Sequence, residues 1–192
     1  MNQSVVVAVV LVMAFFALAY TVGLYNGLVR LKHGVGKAWA NIDVLLRQRN
    51  EELPKLVETC KQYMRYERAT LERVIAARNA VASASREHDM QALGRAESGL
   101  RAGLGQLFAL AENYPQLKAD ESFRHLQQRI SDLEHGIADR RELYNEAVNL
   151  NNVRIEQFPD VLLARLFGFT AATLLRFSEA EKADVDLKAL FG

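Results

Sequence analysis

Few residues in this chain pair reactive chemistry with a spacing that would use it. Arg49, Glu67 and Arg78 in the first half, and Arg140, Arg141, Asn145 and Asn151 in the second, fall in or beside apolar stripes of helical spacing. Charged and amide groups on such a face have two uses. Buried in a helical bundle, they fix register and helix partner at a cost in stability, while long arginine stems cover apolar surface and keep their heads in water. Gathered in a cavity, they form a polar groove for a peptide or small ligand, with Arg49, Glu67, Arg78, Arg141 and Asn145 as its contacts. The structural use is the ordinary one, and the groove is the sharper alternative.

Catalytic and metal chemistry finds no foothold in the pattern. The chain has no H-E-x-x-H, no G-x-S-x-G, no Gly-rich phosphate loop and no two histidines at ligand spacing on one helix face. His33, His88, His125 and His135 are scattered and are expected in solvent. Cys60 is the only cysteine, so an intramolecular disulfide is impossible and a zinc site would need histidines and carboxylates alone. Its place on an apolar stripe predicts a buried thiol rather than a nucleophile. No enzyme activity, metal or cofactor is therefore expected. Lys and Arg total 24 against 23 Asp and Glu, a net charge of +1, so no global field points to nucleic acid. Tyr63, Tyr66, Tyr114 and Tyr144 lack a surrounding basic cluster and are read as core or interface residues, not as a base-stacking platform.

The elements that would carry these residues are helices. Only 3 prolines, 24% charged residues and long runs of Ala, Leu, Arg, Glu and Gln favour helix over strand. From Val5 to Leu24 no residue is charged, and only Thr21 and Gly23 fall outside the apolar and aromatic set, a length that spans a bilayer. A cleaved signal peptide is the rival, through the A-x-A pattern of Ala17, Leu18 and Ala19. It lacks a basic leading region, and the apolar run passes that point unbroken. Arg30, Lys32 and Lys37 all precede the first acid, Asp43, which places the following domain in the cytoplasm, with a periplasmic or extracellular domain as the alternative.

Beyond residue 25 a heptad-like seam begins, through Leu24, Leu28, Leu31, Val35, Ala38, Ile42 and Leu45, and resumes at Leu53, Val57, Cys60, Met64, Leu71, Val74 and Val81. A single helix from Leu24 to Ser83 would measure about 90 Å at about 1.5 Å per residue, too long for a compact domain. Pro54 predicts a kink or helix boundary near Asn50 to Leu53. The stripe lapses from Ser83 to Asp89, where a turn is expected with Asp89 as N-cap of the next helix. That helix holds Leu93, Leu100, Leu104 and Leu107, with Gly94, Gly99, Gly103 and Gly105 lowering its propensity and permitting close packing. Asn113, Tyr114 and Pro115 close it, and Asp120 or Ser122 caps a second long helix from Phe123 to Phe158 that stops at Pro159. A short apolar run from Val161 to Phe169 is broken by Arg165 and followed by Arg176, so it is no second span. It is expected to pack on the bundle, with contact at the bilayer surface as the alternative. Ser178 and Glu181 suggest a capping box for a last short helix. The segments are a transmembrane anchor at 1–25, a helical bundle at 26–170 and a tail at 171–192.

The runs Tyr25-Asn26-Gly27-Leu28-Val29, Ala38-Trp39-Ala40-Asn41-Ile42-Asp43-Val44-Leu45-Leu46, Arg49 and Leu53-Pro54-Lys55-Leu56-Val57 resemble the LemA family. So do Tyr66-Glu67, Ala77-Arg78, Glu112-Asn113-Tyr114-Pro115-Gln116-Leu117-Lys118, Phe123, Leu126, Tyr144-Asn145, Asn151 and Phe158-Pro159. The resemblance runs from the anchor to about Phe169 and departs at Leu150, where an aromatic is expected. It implies a bacterial single-pass membrane protein, all-α, with long antiparallel helices in a bundle. Some members are associated with membrane compartments such as magnetosomes, and the resemblance carries over no catalytic residue.

These readings converge on a membrane-anchored helical scaffold or adaptor of the inner membrane. Its expected partners are the lipid bilayer, through Val5 to Leu24, membrane-proximal proteins, and a second copy of itself in a homo-oligomer. A ligand-sensing helical module that signals through its membrane helix is the alternative.

Overall fold

A computed structural model describes residues 3–177 and shows an all-α protein. The described residues form α1 (Gln3–Tyr63), α2 (Arg68–Glu87), α3 (Met90–Ala111), α4 (Pro115–Ala119), α5 (Glu121–Glu156) and α6 (Asp160–Leu166), with no strand among them. The capping box at Ser178 and Glu181 lies outside the described residues. The chain divides into two compact units: residues 40–142 with 174–177, and residues 3–39 with 143–173.

The larger unit is a four-helix bundle. On α1, Leu53, Leu56, Val57, Cys60 and Met64 are buried; on α2, Leu71, Val74, Val81 and Ala84; on α3, Leu93, Leu100, Leu104 and Leu107; on α5, Phe123, Leu126, Ile130, Leu133 and Ile137. These are the stripes at steps of three and four that the sequence displays, each turned inward to remove its apolar face from water. Cross-helix contacts fix the directions. Asp43 meets Ser85 while Asn50 meets Arg78, so α2 runs antiparallel to α1. Tyr63 meets Asp120 while Arg49 meets Glu134, so α5 also runs against α1.

Two connections match the predicted turns. His88 adopts the left-handed conformation at φ 55°, ending α2, and Asp89 caps α3 by accepting from the backbone N–H of Gln91 at 3.0 Å and Ala92 at 2.9 Å. Asp120 accepts from the Phe123 N–H at 3.0 Å and so caps α5. Its carboxyl is held below its ordinary pKa by that bond and by the Tyr63 hydroxyl.

One boundary falls elsewhere. Of the kink or helix boundary expected near Asn50 to Leu53, the boundary is absent: α1 continues through Pro54 and ends at Tyr63. Proline removes the N–H that would serve the carbonyl of Asn50 four residues back. Arg78 supplies the missing donor from α2, its Nε bonding that oxygen at 3.0 Å. The chain reverses instead at residues 64–67, where Met64 N–H still reaches Cys60 and Glu67 N–H closes on Met64 at 3.2 Å. That turn contains no Gly, Pro, Asn or Asp. Tyr66, read as core or interface, is 96% exposed in it.

In the smaller unit, residues 5–23 are exposed on every side of α1. Leu11, Phe15, Phe16 and Leu18 each present about two-thirds of their surface. An apolar helix with no buried face is unsuited to water and suited to lipid. Among the described residues it is the one helix long and apolar enough to cross a membrane. Further along, Leu28 joins Ile155 and Ala164 in a small core flanked by Leu163 and Phe169. The apolar run after Pro159 therefore packs on α1 and α5, as its composition predicts.

Candidate functional site

Among the described residues Arg49 is the largest fully buried side chain, 1% exposed, and it draws acids from two other helices. Its guanidinium is bidentate to Glu97 on α3, with Nη1 donating to Oε2 at 3.0 Å and Nη2 to Oε1. Nη1 also donates to Glu134 on α5, and Arg101 approaches the other Glu134 oxygen at 3.5 Å. Burial alone would lower the Arg49 pKa, but the two carboxylates outweigh it and raise it, so the group is a permanent cation. Burial raises the Glu97 carboxyl, against the pull of Arg49. Two cations and two carboxylates thus fasten α1, α3 and α5 at one level. Such a network specifies which helices meet and at what register.

Glu97 and Glu134 are not among the residues singled out by sequence. Their signal is an acid inside an apolar stripe: Leu93, Glu97, Leu100 and Leu104 share one face, as do Ile130, Glu134 and Ile137. Pairing Arg49 with those interruptions would have found them.

The other residues of the predicted groove are engaged separately. Glu67 accepts from the Tyr114 hydroxyl at 3.4 Å, at the end of the bundle where α1 turns into α2. Burial and that carboxylate raise the Tyr114 pKa. Arg78 bonds the Asn50 carbonyl, and Arg141 lies 4.0 Å over the Phe177 ring, which Arg101 also approaches. Asn145 is half-buried on α5 in the smaller unit. Arg78 also lines a cleft of about 750 Å³. The four histidines are all exposed, and Cys60 is fully buried with its thiol pushed up to about 12. Among the described residues no group of three or more His, Cys, Asp or Glu is placed to hold a metal.

Two concavities lie along one seam, between α1 and α2. A cleft of about 880 Å³ has Val57, Met64, Leu71 and Ile75 for its apolar lining, with Lys61, Arg65 and Arg68 beside them. A second, of about 750 Å³, joins it at Asn79 and adds Leu46 and Val81 with Arg47, Arg78, Arg86 and His88. Six Lys and Arg line the two clefts against two acids, Glu72 and Asp43. The seam is thus an open trough, apolar beneath and cationic at its edges.

The smaller unit uses asparagine as backbone. Asn152 donates from Nδ2 to the Ala172 carbonyl at 2.9 Å and accepts the Ala172 N–H at 2.8 Å, as a neighbouring strand would. Tyr144 donates to the Thr173 carbonyl at 2.9 Å and meets Trp39 edge to face. The segment after Phe169 is thereby held on α5.

A membrane-associated, all-α protein built on long helices is the class that the fold and its exposed apolar helix define. Residues 38–188 match the LemA family, and the chain belongs to it. The match excludes the Tyr25 to Val29 run and extends beyond Phe169. Over 101 residues, 53% of this chain and 37% of the relative, it is 32% identical to magnetosome protein MamQ 2 and to magnetosome protein MamQ 1 of Paramagnetospirillum magneticum. It is 34% identical over 79 residues to magnetosome protein MamQ of Magnetospirillum gryphiswaldense, covering 41% of this chain and 29% of that relative. The matched part thus spans 37% of the length of two of these curated relatives and 29% of the third. At the position where an aromatic is expected, Leu150 is 53% exposed, so the departure leaves no hole in the core.

Proposed function

We propose that this chain is a non-catalytic, membrane-tethered scaffold or adaptor, with residues 5–24 crossing the inner membrane and the helical bundle on the cytoplasmic side. The observation that carries the reading is the trough between α1 and α2. Its apolar lining and excess of Lys and Arg suit the apolar face and acidic flanks of an amphipathic helix. Such a helix comes from a membrane-proximal protein or from a second copy of this chain. Arg30, Lys32 and Lys37 following the span support the orientation. Relatives named as magnetosome proteins support a role at a membrane compartment.

A photo-crosslinking residue at Ile75 or Asn79, in native membranes, tests it. Reproducible adducts there, absent from the same probe at exposed Gln128 on α5, are expected. Loss of all adducts from the seam, with the purified chain monomeric, would sink the reading. For orientation, a reporter fused after Gly192 and active only outside the cytoplasm should stay dark.

One observation favours a second reading, a ligand sensor that signals through α1. Both clefts have volumes within the range of small-molecule sites, about 300–1,000 Å³. A thermal-shift screen separates the two, because a ligand bound only by the folded state must raise its stability.

A further inference from the structure

α6 and the residues beside it leave an apolar face uncovered. Asp160 and Ala164 point inward, and Asp160 is held there by Arg154 at 2.7 Å. On the opposite side Leu162 is 59% exposed and Leu166, one turn later, 74%. Phe158, one further turn back in sequence, is 80% exposed, and Phe167 is 55% exposed. Four large apolar side chains thus project from a stretch of ten residues, and isolated exposure does not explain a cluster of this kind.

The place of this face along α1 decides what covers it. Phe167 meets the Tyr25 ring edge to face, with centroids 4.8 Å apart, and Phe169 meets the same ring at 5.9 Å. Tyr25 is the first residue after the uncharged apolar run ending at Leu24. Leu28, which packs with Ala164, lies about 4–5 Å farther along the helix axis at about 1.5 Å per residue. α6 is therefore docked within one turn of the end of the span. That is the level at which Tyr and Trp gather in membrane proteins, where an amphipathic ring has lipid on one side and water on the other. Exposed Arg30, Lys32 and Arg165 lie at or near this level. Arg165 sits between Leu162 and Leu166 with a stem long enough to carry its charge toward phosphates.

We infer that Phe158, Leu162, Leu166 and Phe167 form a membrane-interface foot that rests in the headgroup region of the leaflet from which α1 emerges, with Arg165 on lipid phosphates. The occupant is an anionic lipid surface. An exposed face continuous with a membrane span meets lipid before any other partner, and the nearby cations match its charge. The foot adds a second contact beside α1 and so restrains the tilt of the helix, which packing and interfacial anchors set. The inference rests on residues 5–24 crossing the bilayer, and the test reads the two separately.

The full chain, with Cys60→Ala and one new cysteine at a time, is spin-labelled in bilayers of phosphatidylethanolamine and phosphatidylglycerol. Accessibility to oxygen is then compared with accessibility to a water-soluble nickel chelate. Labels at Leu162→Cys and Leu166→Cys should favour oxygen, at a depth of about 5–10 Å below the headgroup surface. Gln128→Cys should favour nickel and Val10→Cys should lie deepest. If Val10 favours oxygen while both α6 positions favour nickel, the foot is wrong and the span stands. If Val10 itself favours nickel, the span fails and the foot with it. A Leu162→Glu, Leu166→Glu chain in which the Tyr25 level is no less lipid-embedded than in the parent would also overturn the foot.

Discussion

Arg78 repairs the defect that Pro54 creates: its Nε donates at 3.0 Å to the carbonyl of Asn50, the group four residues before the proline. A helix interior normally loses about 3 kcal/mol or more to proline, part of it through that orphaned carbonyl. Replacing Arg78 with Ala should cost about 1–3 kcal/mol, the range for losing a charged donor to a half-buried acceptor. Pro54→Ala restores the backbone donor, so Arg78→Ala should cost less on that background than on the parent. Chemical unfolding of the four chains in a double-mutant cycle reads the coupling directly. Additive losses would mean that Arg78 serves some other purpose.

Arg49 holds the buried ion network, and removing it strips Glu97 of its bidentate partner and leaves Glu134 with Arg101 alone. Arg49→Met should destabilise by about 3–5 kcal/mol at neutral pH. Adding Glu97→Gln should recover part of that loss, since an amide is cheaper to bury than an unpaired carboxylate. The deficit should also shrink in acid. Burial already holds the Glu97 pKa above its ordinary value, so the folded state keeps that proton longer than the unfolded chain does. Its titration therefore favours the fold below the unfolded pKa and disfavours it as pH rises through the folded one, and losing Arg49 widens that window. An Arg49→Met deficit that is the same at neutral and acid pH would contradict this assignment.

The two residues just discussed show what could and could not be read without coordinates. Helix type, the stripes, the Asp89 and Asp120 caps and the buried Cys60 all follow from local rules of spacing and side-chain chemistry, and they are found as expected. Arg49 and Arg78 were recognisable as polar groups beside apolar seams. What they do depends on residues 28 to 85 positions away in sequence, and no local rule reports such a partner. Pro54 does not end the helix for the same reason, because its compensation comes from another helix. The turn at residues 64–67 has no turn-forming residue, and its tertiary anchor, the Tyr63 bond to Asp120 at 2.9 Å, is again remote.

Gly94 is required for a close approach. A Cβ there would run into the backbone carbonyl oxygen of Arg176, which cannot swing aside as a flexible side chain would. Gly94→Ala should cost about 1–3 kcal/mol, the usual price of overpacking, by displacing residues 174–177. Gly103 is the control on the same helix. Its Cβ would sit 3.6 Å from Val74 Cγ2, an ordinary contact, so Gly103→Ala should be neutral or stabilise by up to about 1 kcal/mol through helix propensity. Trypsin should cut after Arg176 faster in Gly94→Ala than in the parent or in Gly103→Ala. Equal cleavage of all three would remove the argument for the close approach.

Cys60 offers a readout of the bundle that needs no substitution. Its thiol is 0% exposed, and burial pushes it from an ordinary 9.0 up to about 12. The thiolate is the reactive form, so the folded chain should resist a maleimide at neutral pH and react only as the bundle opens. The same shift ties stability to alkaline pH. The unfolded thiol releases its proton first, so the contribution is fully present below about 9 and is lost as pH rises toward about 12. Cys60→Ala removes the titrating group while keeping the site apolar. Its stability should therefore fall less steeply than the parent's across that interval, although it starts lower because a small cavity is left. Parallel curves for the two chains, or fast labelling of the folded parent at neutral pH, would show that Cys60 is not sealed in the core.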